Sequence, residues 1–163
     1  MNALDKIVTL EDLVTRLVRI RKSGQKIVFT NGCFDIMHVG HVRYLAEARS
    51  QGDMLIVGLN SDGSMRTIKG DKRPIVGQAH RAEVLASLGC VDCVVLFEEP
   101  DPLRLIQTIK PDVLVKGEDW AADAIIGAED VKARGGKIVR ISFVEKASTT
   151  GIIQTILQRY QGD

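Results

Sequence analysis

Five short, nearly unbroken apolar runs constrain the folding of this chain more than any other feature. They fall at Ile27–Thr30, Met54–Asn60, Cys93–Phe97, Val113–Lys116 and Lys137–Phe143. A strand that is apolar at consecutive positions has both faces buried, as happens in parallel sheets whose crossover helices cover both sides. The intervening segments supply those helices, at about Val39–Ser50, Ala79–Leu88, Pro102–Ile109, Ala128–Arg134 and Thr149–Tyr160. A further helix, about residues 9–23, opens on Thr9 with Asp12 three residues on and packs through a stripe of Leu10, Leu13, Val14, Leu17 and Val18. The pattern predicts an α/β fold: one domain over residues 1–163, built on a doubly wound five-stranded parallel sheet of order 3-2-1-4-5. A chain of 163 residues is long enough to bury one substantial core.

In such a sheet ligands gather beyond the carboxyl ends of the strands, where the strand order reverses. That brings the loops after strands one and four together across a crevice. Composition narrows what gathers there. The formal net charge is +1 with 26% charged residues, so no global field recruits nucleic acid, and 4% aromatic content offers no stacking platform for single strands. No apolar run reaches the roughly 18 residues of a membrane span, and the first residues lack the pattern of a secretory signal. The expected location is the cytoplasm, with no membrane partner. Cys90 and Cys93 straddle a helix end and a strand start, which suits reduced, packed thiols better than a redox pair at a helix N-terminus.

The loop after strand one reads Thr30-Asn31-Gly32-Cys33-Phe34-Asp35-Ile36-Met37-His38-Val39-Gly40-His41. It sits where a strand hands over to a helix, and a helix N-terminus presents unpaired N–H groups that hold phosphate oxygens without a lysine. Gly32 and Gly40 would admit phosphates close to the backbone. His38 and His41, three apart, would share one face of the first turn and aim imidazole N–H groups at the bound charge. Core packing accounts for the side chains of Phe34 and Ile36. A zinc site from Cys33, His38 and His41 would lack a fourth ligand, so no resident metal is expected.

Gly32-Cys33-Phe34-Asp35 followed by His38-Val39-Gly40-His41 resembles the signature of the HxGH nucleotidyltransferase superfamily, which includes the cytidylyltransferases. The resemblance implies a Rossmann-like nucleotidyltransferase fold, with Thr30, Asn31, Gly32, Cys33, Phe34 and Gly40 binding nucleotide. It also implies that a lysine after strand two meets the triphosphate: Lys69 is the match, with Lys72 or Arg73 as substitutes, in a segment from Asn60 to Pro74 read as a long basic loop. Ser148-Thr149-Thr150 is similar to the superfamily's hydroxyl cluster before the last helix, although Ile153 stands where relatives carry arginine. Arg81 resembles a phosphate-contacting position.

Lys116-Gly117-Glu118-Asp119-Trp120 narrows the likeness to the adenylyltransferases of ADP-heptose synthesis, supported by Arg73-Pro74, Gly135-Gly136 and Ile126-Gly127-Ala128-Glu129. That likeness implies transfer of AMP from ATP to D-glycero-β-D-manno-heptose 1-phosphate with Mg²⁺ and release of pyrophosphate. Lys116 and Gly117 would bind nucleotide, while Asp35, Arg81, Asp119 and Trp120 would meet the acceptor. His38, His41 and Lys69 would be catalytic. A separate heptose kinase would supply the sugar 1-phosphate, and a homodimer is expected. A sugar 1-phosphate is already close to a dianion at neutral pH, so neither a general base nor a covalent intermediate is needed, and Cys33 is not a nucleophile. Other acceptors, CTP as donor, and a non-catalytic nucleotide sensor stay open. A dinucleotide-binding oxidoreductase is disfavoured because neither G-x-G-x-x-G nor the P-loop spacing occurs.

Overall fold

Thr9 opens the first long helix, α1 (Leu10–Lys22), by accepting the Asp12 N–H at 3.1 Å and donating its hydroxyl to the Asp12 carboxylate at 2.8 Å. In the computed structural model, which describes residues 2–121, 124–142 and 148–161, α1 is followed by alternating strands and helices. These are β1 (Ile27–Gly32), α2 (Val39–Arg49), β2 (Met54–Asn60), α3 (Asp62–Lys69), α4 (Gln78–Ser87) and β3 (Cys93–Phe97). Next come α5 (Leu103–Ile109), β4 (Val113–Gly117), α6 (Ala128–Ala133), β5 (Lys137–Ile141) and α7 (Thr149–Tyr160). The sheet is parallel, in the expected order β3-β2-β1-β4-β5.

Strand alternation divides the interior into two cores. Ile27, Phe29, Ile56, Cys93, Val95 and Leu114 point to the face covered by α1, α5 and α6; Val28, Leu55, Val57, Val94, Val113 and Val115 point to the face covered by α2 and α4. Fully burying a leucine-sized side chain contributes about 1.5–3 kcal/mol. Leu13 and Leu17 of α1 are buried, whereas Val14 and Val18, expected in the same stripe, are 40% and 53% exposed. Leu10 is partly buried against the same core, so the stripe is narrower than its periodicity suggests. None of the residues of α7 is buried.

The segment from Asn60 to Pro74 is not a continuous loop. Ser61 accepts the Ser64 N–H at 3.0 Å, Met65 turns inward, Asp62 lies in the first turn and Arg66 and Lys69 in the last, which is sufficient to make α3. Element ends otherwise shift by one or two residues. The expected end of the fifth strand, Phe143, lies outside the described residues.

Pairing between β1 and β4 is short. β1 pairs with β2 from Ile27↔Met54 to Gly32↔Leu59, but with β4 only at Val28↔Val113 and Phe29↔Leu114. Beyond Phe29 the two central strands part at their carboxyl ends, where the strand order reverses. This parting makes the crevice.

Candidate active site

The parted strands are spanned by two polar side chains. The Tyr44 hydroxyl, from α2, lies 2.7 Å from Thr30 Oγ1 and donates to the Val115 carbonyl at 3.3 Å, and Lys116 Nζ donates to Asn31 Oδ1. Above them opens a cavity of about 410 Å³. Its walls come from the loop after β1, from α2, α3, the β3–α5 and β4–α6 loops, and the head of α7.

His38 is the N-cap residue of α2, and its side chain makes no capping bond. First-turn N–H groups are thus left for a ligand. The His38 and His41 rings stack with centroids 3.8 Å apart and planes 23° from parallel, and Phe34 meets His41 edge-on at 5.3 Å. His41 lines the cavity. Nδ1 of each histidine is buried without a hydrogen-bond partner among the described residues. Burial pushes the His41 pKa down to about 4, with the neighbouring His38 adding to the effect, and burial also lowers that of His38. Both imidazoles are therefore neutral at pH 7, each with one N–H to give. Phe34 adopts φ 45°, and a Cβ on Gly32 would stand 3.0 Å from its ring. Gly32 accordingly makes room for Phe34.

Lys116 is 7% exposed and its Nζ lies 5.3 Å from the Trp120 ring centroid. Burial draws its pKa down to about 8, against the opposing pull of Asp119. It faces the cavity together with Gly117, Asp119 and Trp120. On the opposite side stands exposed Lys69, at the end of α3. Of the three candidate cations, Lys72 does not line the cavity, and Arg73 lines it but is paired with Asp35. Thr149 and Thr150 line the cavity too. Thr149 donates to the Ile36 carbonyl at 3.2 Å, tying the head of α7 to the histidine loop, while Ser148 caps Gly151 N at 3.0 Å and stays off the wall.

Several expected ligand contacts are otherwise engaged. Thr30 is fully buried against Tyr44, and Gly40 is buried within α2. Asp35 lines the cavity, yet its carboxylate accepts from Val76 N at 2.8 Å, Ile75 N at 2.9 Å and Arg73. Burial alone would raise the Asp35 pKa, but these donors hold it below the usual carboxylate value. Arg81, expected at the acceptor, is 1% exposed and donates to the carbonyls of Cys33 and Val76 and to Asp62. It does not reach the cavity. Cys33 does line it, its thiol pKa raised by burial despite nearby Lys69 and Arg81.

Sequence reasoning missed Tyr44, whose spacing of three from His41 on one helix was a usable signal. It also missed the apolar wall of Met65, Ile68, Pro102 and Ile126, which carries no local signature.

Residues 29–155 match the cytidylyltransferase-like family. Curated relatives called bifunctional protein HldE are 51% identical over 155 residues in Citrifermentans bemidjiense and 50% in Geobacter sulfurreducens, covering 95% of this chain and 32% of each relative. The chain thus spans about a third of the length of the curated relatives it matches. Among solved structures, the lipopolysaccharide core biosynthesis protein of Thermoplasma volcanium GSS1 superposes with a TM-score of 0.63 at 32% identity, over 75% of this chain and all of that one. The pantoate-beta-alanine ligase of Francisella tularensis shares the fold, with a TM-score of 0.58 at 20% identity over 96% of this chain and 79% of its own.

Proposed function

The chain belongs to the cytidylyltransferase-like family, and on that premise we propose that it transfers AMP from ATP to D-glycero-β-D-manno-heptose 1-phosphate, giving ADP-heptose and pyrophosphate. One observation carries the transfer chemistry: two stacked, neutral imidazoles at an uncapped helix head, beside a cavity walled by lysines on opposite sides. The acceptor is inferred from the Lys116-Gly117-Glu118-Asp119-Trp120 segment and from the likeness to a lipopolysaccharide core biosynthesis protein.

An oxygen of the sugar phosphate attacks the α-phosphorus of ATP, a new P–O bond forms, and the bond from that phosphorus to the α–β bridging oxygen breaks. Pyrophosphate leaves with the electron pair. The acceptor arrives ionised, so the protein's task is positioning and charge stabilisation. His38 and His41 donate to the α-phosphate and bridging oxygens. Lys69, Ser148, Thr149 and Thr150 hold the β and γ oxygens, Ser148 through the helix head that it caps. Asn31, Gly32, Cys33, Phe34, Lys116 and Gly117 contact the nucleotide, and Asp119 and Trp120 face the sugar or ribose. No group of three His, Cys, Asp or Glu side chains able to hold a metal occurs among the described residues, so Mg²⁺ fits best as the counter-ion of the triphosphate. Bound there it supplies charge neutralisation.

The upstream partner is a heptose kinase, the assembly a homodimer and the compartment the cytoplasm; no described helix is long and apolar enough to cross a membrane. The family's own description favours CTP as the rival donor. A pyrophosphate-release panel crossing ATP and CTP with heptose 1-phosphate, glycerol 3-phosphate and phosphopantetheine decides. Turnover with ATP and heptose 1-phosphate alone is expected, and preference for CTP or for another acceptor rejects the assignment.

A further inference from the structure

We propose that Arg81 is a positioning residue, which sets α3 and therefore Lys69 against the histidine loop; the inference rests on the nucleotidyl-transfer reading above. Arg81 is among the largest fully buried side chains of the protein, and its donors reach three different segments. Nη1 meets the carbonyl of Cys33 in the loop after β1, Nε meets the Val76 carbonyl at 2.9 Å, and Nη2 pairs with Asp62 Oδ1 at 2.8 Å in the first turn of α3. A planar guanidinium fixes three such directions at once, which an ammonium cannot.

The remaining anchors of α3 lead elsewhere. Ser61 Oγ donates to Glu98 at 2.6 Å, Ser64 Oγ donates to the Glu99 carbonyl at 2.7 Å, and Asp62 N donates to Gln78 at 2.8 Å. Among the described hydrogen bonds, Arg81 alone joins α3 to the loop after β1. Asp35, in that same loop, accepts from Val76 N while Arg81 donates to Val76 O, so residue Val76 is held through both its N–H and its carbonyl. Lys69 sits at the far end of α3 with its side chain on the cavity wall. A tilt of this eight-residue helix about its anchored first turn displaces Lys69 most. The charge that faces the departing pyrophosphate is thus placed by a residue that touches no substrate.

The test is a double-mutant cycle with Arg81→Lys and Lys69→Met, read as kcat and KM for ATP, together with amide hydrogen exchange of residues 62–69 in the ligand-free protein. Arg81→Lys is expected to lower kcat/KM by on the order of 10²-fold, the scale of a misplaced contact. In the Lys69→Met background it should add no more than about a factor of two. Asp62→Asn, which leaves the Cys33 and Val76 bonds in place, keeps the test open if Arg81→Lys folds poorly, and should act in the same direction. Exchange over residues 62–69 should rise in both variants. Losses that multiply overturn the proposal, as does unchanged exchange in Asp62→Asn or wild-type turnover by Lys69→Met. Absence of pyrophosphate release by the unmodified protein would instead reject the transfer reading, and the exchange measurement would still judge the mechanical link.

Discussion

Burying an ammonium costs free energy, and Lys116 is buried with no salt bridge among the described residues, in contact with Asn31 and Trp120 and facing the cavity. Its folded pKa is lowered to about 8, below that of an ordinary lysine, so the unfolded chain binds the proton more tightly. The penalty is present below about pH 8 and is relieved as pH rises toward the unfolded value. Lys116→Met should therefore raise the melting temperature at pH 7, by less at pH 9, while weakening ATP binding. ATP affinity of the unmodified protein should fall above about pH 8, and calorimetry over pH 6.5 to 9.5 reads both effects. The histidines carry the opposite practical consequence. With a folded pKa of about 4, His41 stays neutral through the neutral range in the ligand-free protein, so an NMR titration of its imidazole should show no protonation step near pH 6.5. Its depressed pKa contributes stability that is complete above the unfolded value and is lost as pH falls toward 4, so acid should unfold the protein more readily than a His41→Gln variant. His41→Ala should lower kcat by about 10², the cost of one transition-state donor. Near-normal turnover by that variant would remove the histidine from the chemistry.

At the scale of elements, α3 and the Gly127 turn show how local chemistry serves the site. Ser61 both caps Ser64 N and binds Glu98, so Ser61→Ala should destabilise the protein by about 1–2 kcal/mol and loosen Lys69, measured as denaturant midpoint and KM for ATP. Gly127 has φ 81°, and a Cβ there would stand 2.7 Å from Ile106 Cδ1, itself fully buried. Gly127→Ala should thus cost about 1–3 kcal/mol, since strained backbone and overpacking act together. Cations cluster at the opposite, amino edge of the sheet, where Arg21 donates to the Ile109 and Lys110 carbonyls at the end of α5. Helix C-termini converge there, and their partial negative charge accounts for that cluster.

For the whole molecule, the decisive feature is that β1 holds β2 along its full length and releases β4 after Phe29. The core strands are closed on both faces, whereas α7 has no fully buried residue and brings Thr149 and Thr150 to the cavity. Amide exchange should be slowest in β1 and β2 and fast in α7, and ATP should slow it in α7. Equal protection of α7 with and without ATP would remove the head of that helix from the nucleotide site.

Strand order, the two-sided cover and the histidine loop were legible in the residues because they rest on local periodicity and on a strand-to-helix junction that one short segment encodes. Lys69, Lys116, Thr149 and Thr150 could likewise be picked out as cavity residues, each standing at an element end that the topology sends to one edge. The charged run after β2 concealed α3, whose helicity depends on Ser61 and on the burial of Met65. Arg81 and Asp35 were placed at the right edge, but no sequence feature tells that an arginine's donors are satisfied by distant carbonyls or a carboxylate's lone pairs by a neighbouring loop. Local sequence determined which elements form and which residues sit at the rim. Only tertiary structure decided which of those side chains face the cavity and which hold its walls, because burial and hydrogen-bond satisfaction depend on groups far apart along the chain.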